Sequence, residues 1–200
     1  MSLDGFIQDL KNLNQISKNQ ELKEQFANLL YDEYYQQIFN YYFLMTRRKE
    51  TAEEETQEVL LKILNTIPQF NPTKAKLKTW IWVIAKRHII DHYRLKENKI
   101  TPDIFQEEIH SEEILNEQLI STELLYLIEK ENSQNIKNAV EKINGLGRDI
   151  LVMWLETDLS MDELANVHDI SVQQVKNYLF QSKKKLKDLL SKDFEAKRIK

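Results

Sequence analysis

The chain has no cysteine and few of the residues that interrupt helices. Without thiols, disulfides and thiolate metal sites are excluded, and the composition fits a reducing compartment. Its 200 residues include only three glycines and three prolines, so turn signals are rare. No segment alternates apolar and polar residues as a half-buried strand would, whereas leucine and isoleucine recur at helical spacing. The sequence therefore predicts an all-α fold without a sheet.

Long apolar runs are also missing. Residues 1–12 contain no basic segment followed by an apolar one, so we expect no signal peptide. The longest uncharged stretch, Tyr34–Thr46, is too short to span a bilayer and contains two glutamines and an asparagine. We expect a cytoplasmic protein without membrane insertion.

The net charge of −4 hides an uneven distribution. Residues 71–99 carry eight basic and two acidic groups, and residues 171–200 carry nine basic and three acidic groups. Between these segments, residues 103–131 carry nine acidic groups and one basic group. Because electrostatic binding depends on local potential more than on net charge, the two basic segments are candidate nucleic-acid surfaces. The alternative is that they are only solvated lysine-rich faces.

Three helices are predicted in the first half from apolar residues at three- and four-residue steps. The first begins at Glu21, and the second opens with a capping box formed by Thr51 and Glu54. The third covers residues 74–95 and contains two tryptophans, of which we expect Trp80 to pack in the core. Trp82 lies off the main apolar stripe, so its place is open.

The composition then changes over residues 96–122, which contain a proline and an acidic run. Helical periodicity resumes afterwards, with Gly145 and Gly147 predicted to bracket a turn. We therefore expect two small helical domains, residues 1–95 and 123–200, joined by an acidic linker.

Residues 158–187 predict two helices separated by a tight turn. Each helix opens with a capping box, formed by Ser160 with Glu163 and by Ser171 with Gln174, in which side chains satisfy the free amides of the first turn. This arrangement is typical of a helix-turn-helix that presents its second helix to duplex DNA. An ordinary helical hairpin is the alternative, since capping boxes and a polar face are expected there too.

The second helix of this pair combines a buried stripe with a polar face. We expect Asp169 in the turn, since aspartate tolerates a left-handed backbone. The predicted stripe consists of Val172, Val175, Leu179, Leu186 and Leu189. Amide side chains can pair with adenine, and lysines can pair with guanine or phosphate. The face predicted to be exposed offers such groups at Gln173, Gln174, Lys176, Asn177, Gln181, Lys183 and Lys184.

The segments Leu159–Ala165 and Ile170–Lys176 resemble the minus-thirty-five-reading domain of bacterial sigma factors. They are almost as similar to the DNA-binding domain of LuxR-type regulators. This motif alone therefore does not separate the two families.

The first half distinguishes them. Ala52–Leu60, Phe70–Pro72 and Leu77–Arg94 resemble the sigma domain that binds core RNA polymerase and opens the minus-ten element. Both motifs in this order, with an acidic linker between them, resemble the compact extracytoplasmic-function group. A LuxR-type regulator with a non-polymerase partner is the alternative, but a receiver domain would need alternating strands that this sequence lacks.

The resemblance implies a sigma factor that binds core RNA polymerase and directs promoter recognition, promoter opening and transcription initiation. The implied partners are core RNA polymerase, promoter DNA and an anti-sigma protein. No cofactor, metal or catalytic residue is implied, so we expect that the protein is not an enzyme.

Three groups of residues are carried over by position. Those implied to bind core polymerase are Glu53, Glu54, Gln57, Glu58 and Lys62. Those implied to hold the opened minus-ten element are Phe70, Asn71, Lys74, Lys76, Lys78, Lys86, Arg87, His88, Asp91, His92 and Arg94. Those implied to read the minus-thirty-five element are Ser171, Val172, Gln173, Gln174, Lys176, Asn177, Phe180, Gln181, Lys183 and Lys184.

In the first half, two residues depart from the pattern of this family. Glu55 and Thr56 stand where aliphatic residues are usual, so we expect a rotated or more loosely packed helix there. His88 and His92 are one helical turn apart with Asp91 adjacent, which suggests a metal pair. Because the surrounding helix is basic and aromatic, nucleic-acid binding is the favoured interpretation.

Overall fold

The computed structural model describes residues 2–10, 13–96, 128 and 133–198, with the side chains at 93–96, 133–134 and 193–198 outside the description. Every regular element in these ranges is a helix, which confirms the all-α prediction. None of the described helices is long and apolar enough to cross a membrane. Apart from Lys96, which ends a helix, the predicted acidic linker lies outside the described residues, so the domain boundaries stay a prediction.

The chain divides into two compact units. The first consists of Met1–Ile100 and Asn166–His168, and the second of Thr101–Ala165 and Asp169–Lys200. A short 3-10 turn, Ile67–Gln69, follows the fourth helix of the first unit. The helices of the first unit are α1 (Leu3–Asp9), α2 (Asn14–Lys18), α3 (Gln20–Thr46), α4 (Lys49–Thr66) and α5 (Leu77–Lys96). The helices that follow in the chain are α6 (Ser133–Glu141), α7 (Gly145–Glu156), α8 (Met161–His168) and α9 (Val172–Arg198).

The N-terminal residues are part of the first core. Ser2 caps α1 by accepting a hydrogen bond from the Gly5 amide at 3.2 Å, and Leu3 donates its amide to Glu33 Oε1 on α3 at 2.6 Å. Phe6 is buried with its ring centroid 6.4 Å from that of Phe26. Burial of these apolar side chains against α3 holds α1 in place, although its seven residues would be marginal alone.

The core of the first unit forms where α3, α4 and α5 pack together, and its largest fully buried side chain is Trp82. The Tyr41 ring meets the Trp82 ring edge-on, with centroids 5.7 Å apart. The place of Trp82, left open by the sequence, is thus in the core, whereas Trp80, which we expected there, is only half-buried. The physical reason is the helical stripe: Leu77, Ile81, Trp82, Ala85 and Ile89 are the buried face of α5.

The predicted capping box of Thr51 and Glu54 is also wrong. Helix α3 ends at Thr46, and Arg47 adopts a left-handed conformation with φ of 61°. The chain therefore turns within two residues, and α4 begins already at Lys49. Thr51 consequently lies inside the helix, where it is buried.

In the second unit, the two glycines have different roles. Gly145 has a φ of 65° at the start of α7, a conformation that favours glycine, which fits the predicted turn. Gly147 lies within α7, so it does not bracket a turn as predicted. A Cβ atom at Gly147 would lie 2.6 Å from Ser182 Oγ on α9. The absence of a side chain there permits the close approach of α7 and α9.

We predict that Gly147→Ala destabilises the second unit. Overpacking against Ser182 should cost about 1–3 kcal/mol, which exceeds the gain of about 1 kcal/mol in helix propensity. The measurement is hydrogen–deuterium exchange of peptides from α7 and α9, which reports on this unit alone. Adding Ser182→Ala should restore most of the protection, with Ser182→Ala alone as the control. Unchanged exchange in Gly147→Ala would contradict this packing.

Candidate nucleic-acid interface

Helix α4 presents an ordered polar face. Glu54, Gln57 and Glu58 are exposed at i, i+3 and i+4, as predicted from their spacing. Leu61 continues this face and is 58% exposed, a residue that the sequence reasoning missed. Its position seven residues after Glu54 is two helical turns along the same face, and this spacing could have indicated that Leu61 belongs there. We call Glu54, Gln57, Glu58 and Leu61 the α4 face.

Two other residues predicted for polymerase binding flank the α4 face. Lys62 is exposed, whereas Glu53 is half-buried. The Glu53 carboxylate pairs with the Lys49 ammonium at 3.6 Å, an exposed i, i+4 contact. Such exposed pairs contribute little to stability, so the Glu53 side chain can change its partner at little energetic cost.

The buried side of α4 carries the two departures from the family pattern. Thr56 is buried, and its hydroxyl donates to the Ala52 carbonyl at 2.6 Å. Glu55 is buried against His88 and His92 of α5, with His88 Nε2 2.8 Å from Glu55 Oε2 and His92 Nδ1 in contact with Oε1. Both polar side chains therefore find partners within the packed helices. Their presence does not require the looser packing that we expected.

This arrangement changes the placement of both histidines. They were predicted to face the minus-ten element, but each side chain is at most 16% exposed and is directed to Glu55. Sequence reasoning missed the pairing because α4 and α5 meet only in the tertiary structure.

Tyr42 of α3 lies next to this cluster. Its ring stacks near His88 with centroids 6.2 Å apart, and its hydroxyl donates to the Ala85 carbonyl at 2.8 Å. Burial, and secondarily the Glu55 carboxylate, hold the Tyr42 pKa well above its usual range. The phenol therefore stays neutral and acts as a hydrogen-bond donor.

The loop between α4 and α5 is built on an aromatic pair. Phe70 is buried with its ring centroid 5.4 Å from that of Trp80, so it forms the base of the loop. Asn71 is exposed, and its Oδ1 accepts hydrogen bonds from the amide and hydroxyl of Thr73 at 2.9 and 2.7 Å. A cleft of about 430 Å³ adjoins the loop and is lined by Ile7, Leu10, Leu13, Pro68, Gln69, Phe70, Asn71 and Pro72.

The predicted minus-ten cations differ in their exposure. Lys74, Lys76 and Arg87 are exposed, as is the single acidic residue of this set, Asp91. The half-buried members are Lys78 and Lys86. Arg94 belongs to α5, but its side chain lies outside the described part of the chain.

The segment predicted as a helix-turn-helix folds as α8 and α9 with a three-residue turn. Both capping boxes are present: Ser160 exchanges hydrogen bonds with Glu163, and Ser171 does so with Gln174. Asp169 has the expected left-handed backbone, with φ of 55° and ψ of 46°. The reciprocal caps satisfy the first amides of both helices and thereby fix where each begins.

The first turns of α9 carry the predicted polar side chains. Val172 and Asn177 are half-buried, and the exposed members of the predicted set are Ser171, Gln173, Gln174, Lys176, Gln181 and Lys184.

Lys183 and Phe180, two members of the predicted minus-thirty-five set, are buried. The prediction that Lys183 is exposed is therefore wrong. The Lys183 ammonium lies 4.0 Å from the centroid of the Trp154 ring on α7, and the residue is only 4% exposed. Contact with the aromatic face stabilises the buried cation. Phe180 is likewise buried, so neither side chain belongs to the exposed face of α9.

A family model, that of sigma-70 region 2, matches residues 30–98. This range contains the α4 face, the Phe70 loop and α5. The chain is also 28% identical over 170 residues to RNA polymerase sigma factor YlaC of Bacillus subtilis, which covers 85% of this chain and 95% of that protein. The alignment is longer than either half of the chain, so it includes part of each unit.

Further similar proteins carry the name of the group. ECF RNA polymerase sigma factor SigX of B. subtilis is 26% identical, over 76% of this chain and 77% of that protein. ECF RNA polymerase sigma factor SigM of the same organism is 22% identical, over 82% of this chain and 94% of that protein.

These matches support the interpretation of the chain as an RNA polymerase sigma factor of the extracytoplasmic-function group. The region-2 match lies in the first half, where the sigma-factor and LuxR-type interpretations differ. It therefore supports the sigma factor over the LuxR-type alternative.

We predict that Tyr42→Phe changes the alkaline stability of the sigma factor. The lost hydrogen bond should cost about 1 kcal/mol at neutral pH. In the wild type, the unfolded phenol ionises near pH ~10 while the folded phenol stays protonated, so stability falls as the pH rises above that value. Tyr42→Phe removes this contribution and should flatten the fall.

The measurement is the thermal midpoint from neutral to alkaline pH. Tyr31→Phe, at an exposed tyrosine of the same helix, is the matched control and should follow the wild type at neutral pH. An alkaline loss of equal steepness in Tyr42→Phe and the wild type would contradict the role of this phenol.

Proposed function

We propose that the sigma factor binds core RNA polymerase through the first unit and directs initiation with DNA contacts from both units. The observation that carries this proposal is that the matched region 30–98 contains a carboxylate-bearing helix face and a cationic loop and helix as distinct surfaces. One surface suits a basic protein partner and the other suits a nucleic acid. The chain would act as a specificity subunit, with no catalytic step of its own.

The α4 face is the proposed polymerase-binding surface. Two carboxylates and an amide lie beside the exposed Leu61, so an apolar contact is bordered by polar groups. This combination is common at protein interfaces, where charge complementarity sets orientation and the apolar centre contributes affinity. The interior of the unit supports it rigidly, since Val59 and Ile63 are buried on the opposite side of α4.

The Phe70 loop and α5 are the proposed surface for the opened minus-ten element. An extruded base needs an apolar or aromatic wall, a polar group that reads its edge and cations for the flanking phosphates. The Phe70–Trp80 pair and the adjoining cleft offer the wall. Because Asn71 Oδ1 is occupied by Thr73, the NH₂ group of Asn71 is the side-chain group left to read an acceptor on a base. Lys74 and Lys76 are placed for phosphate contacts.

The first turns of α9 are the proposed minus-thirty-five surface. Gln173 Nε2 donates to Asn177 Oδ1 at 2.9 Å, which orders two amides on one side of the helix. Gln174 uses its Oε1 atom in the capping box, so it mainly positions the helix. The exposed Gln173, Lys176 and Gln181, with the half-buried Asn177, then form the set that would read bases and phosphates.

The remaining parts of the proposal come from the sequence resemblance. The acidic segment 96–122 would thread through the polymerase and connect the two DNA contacts. An anti-sigma protein is a candidate third partner, which would act by covering one of these surfaces.

The proposal is tested by adding the purified chain to core RNA polymerase on a genomic template library. Transcripts should begin at a defined set of promoters that core polymerase alone does not use. Failure to initiate at any promoter, with a template library from the source genome, would overturn the proposal.

We predict that Glu54→Lys weakens binding to core RNA polymerase by at least ~10-fold, because it reverses a charge in the α4 face. Fluorescence anisotropy of the labelled chain measures the affinity. Asp32→Lys, which makes the same charge change at an exposed position of α3, should bind normally. Equal weakening in both variants would indicate a net-charge effect and contradict the α4 face as the docking surface.

We predict that Lys176→Ala combined with Asn177→Ala reduces promoter-specific transcription at least ~10-fold, since each base contact contributes about 1–3 kcal/mol. Affinity for core polymerase should stay unchanged in the same preparation. Lys192→Ala, an exposed lysine farther along α9, is the matched control and should transcribe normally. Parallel loss of polymerase binding and transcription in the double variant would argue against separate tasks for the two units.

A further inference from the structure

We propose that Glu55, Glu58 and His88 form a binding site for a transition-metal dication, with Zn²⁺ as the preferred ion, and that His92 positions Glu55. The site lies where α4 and α5 pack together in the first unit. Its test is independent of the proposed function, since metal binding requires neither polymerase nor DNA, although Glu58 also belongs to the α4 face.

The three donor groups converge. Glu55, Glu58 and His88 each offer one ligand atom, and these atoms all lie within 4.8 Å of one another. His88 Nε2 is 2.8 Å from Glu55 Oε2 and 3.9 Å from Glu58 Oε2. Zn²⁺ bonds of 2.0–2.1 Å in a tetrahedral site place neighbouring ligand atoms about 3.4 Å apart. The two observed separations lie on either side of this distance, so small side-chain movements suffice.

The imidazole supplies a second, independent indication. The Nε2 atom of His88 is buried and has no hydrogen-bond partner, although Glu55 Oε2 is only 2.8 Å away. The distance is short enough for a hydrogen bond, but the ring nitrogen is not directed towards the carboxylate oxygen. A buried ring nitrogen that makes no hydrogen bond is costly, and a cation placed among the three groups would satisfy it.

His92 has the position of a supporting residue. Its Nδ1 atom contacts Oε1 of Glu55, the oxygen opposite the one that faces His88. Ligating carboxylates are characteristically held by such outer contacts, which fix their orientation and tune their basicity. His88 and His92, one helical turn apart on α5, therefore act on the two oxygens of a single carboxylate.

The donor set indicates the class of ion. An imidazole nitrogen disfavours Mg²⁺ and Ca²⁺, which prefer oxygen ligands. Two carboxylates and one imidazole suit Zn²⁺, and three protein ligands leave a fourth position for water. Zn²⁺ also binds such ligands more tightly than Mn²⁺ or Fe²⁺ does.

The site has a route to solvent on one side. Glu55 and His88 are largely buried, whereas the Glu58 side chain is 67% exposed. A hydrated ion would meet Glu58 first and then displace water towards the two inner ligands. Because Glu58 is at the surface, it can be changed with little effect on the core.

The test is Zn²⁺ binding to the untagged full chain, measured by competition with a chromophoric chelator. We expect one Zn²⁺ per chain and a rise in melting temperature with added Zn²⁺. Glu58→Gln should weaken Zn²⁺ binding at least ~10-fold, as should loss of the supporting group in His92→Gln. Mg²⁺ in large excess should not displace Zn²⁺.

Glu54→Gln is the matched control, because it removes one exposed carboxylate from the same helix outside the cluster. It should bind Zn²⁺ within ~2-fold of the wild type, since it is not a ligand. Absence of Zn²⁺ binding in the wild type overturns the proposal. Equal losses in Glu58→Gln and Glu54→Gln also overturn it, because they would indicate diffuse attraction to an acidic surface. Melting curves without metal show whether each variant is folded.

Discussion

A carboxylate that is buried between two helices is stable only where other groups compensate for the lost water. Glu55 is in this situation, and His88 and His92 of α5 lie on its two oxygens. Removing either partner would leave a buried group uncompensated, so the contacts constrain how α5 lies along α4. Tyr42 of α3 adds to the constraint, because its hydroxyl is tied to the α5 backbone beside the same cluster.

The surfaces of the first unit follow from this packing. Glu55 is directed to the histidines of α5, whereas Glu54, Gln57 and Glu58 are exposed on α4. With Trp82 in the core, the neighbouring Trp80 is left to pack on Phe70 and support the loop. The packing of α4 against α5 thus gives the first unit an acidic surface suited to a protein and a cationic surface suited to DNA. Both lie within fewer than fifty residues of chain.

The second unit uses close packing in place of a charged cluster. Gly147 lets α7 approach α9, and Lys183 covers the Trp154 ring of α7. These contacts hold the middle of a 27-residue helix, and one side of its first turns is left to solvent. The side chains available for reading DNA are therefore concentrated next to the turn that begins at Asp169.

The sequence by itself determined the helical fold, the two capping boxes of α8 and α9, the left-handed Asp169 and the exposed face of α4. These features depend on residues three or four apart, so local hydrogen bonding and helical spacing suffice to predict them. Only the tertiary structure decided the burial of Trp82 and the inward position of Lys183. It alone also brought Glu55 to the two histidines. Each of these depends on which elements meet across many residues of chain, where burial and charge compensation outweigh local preference.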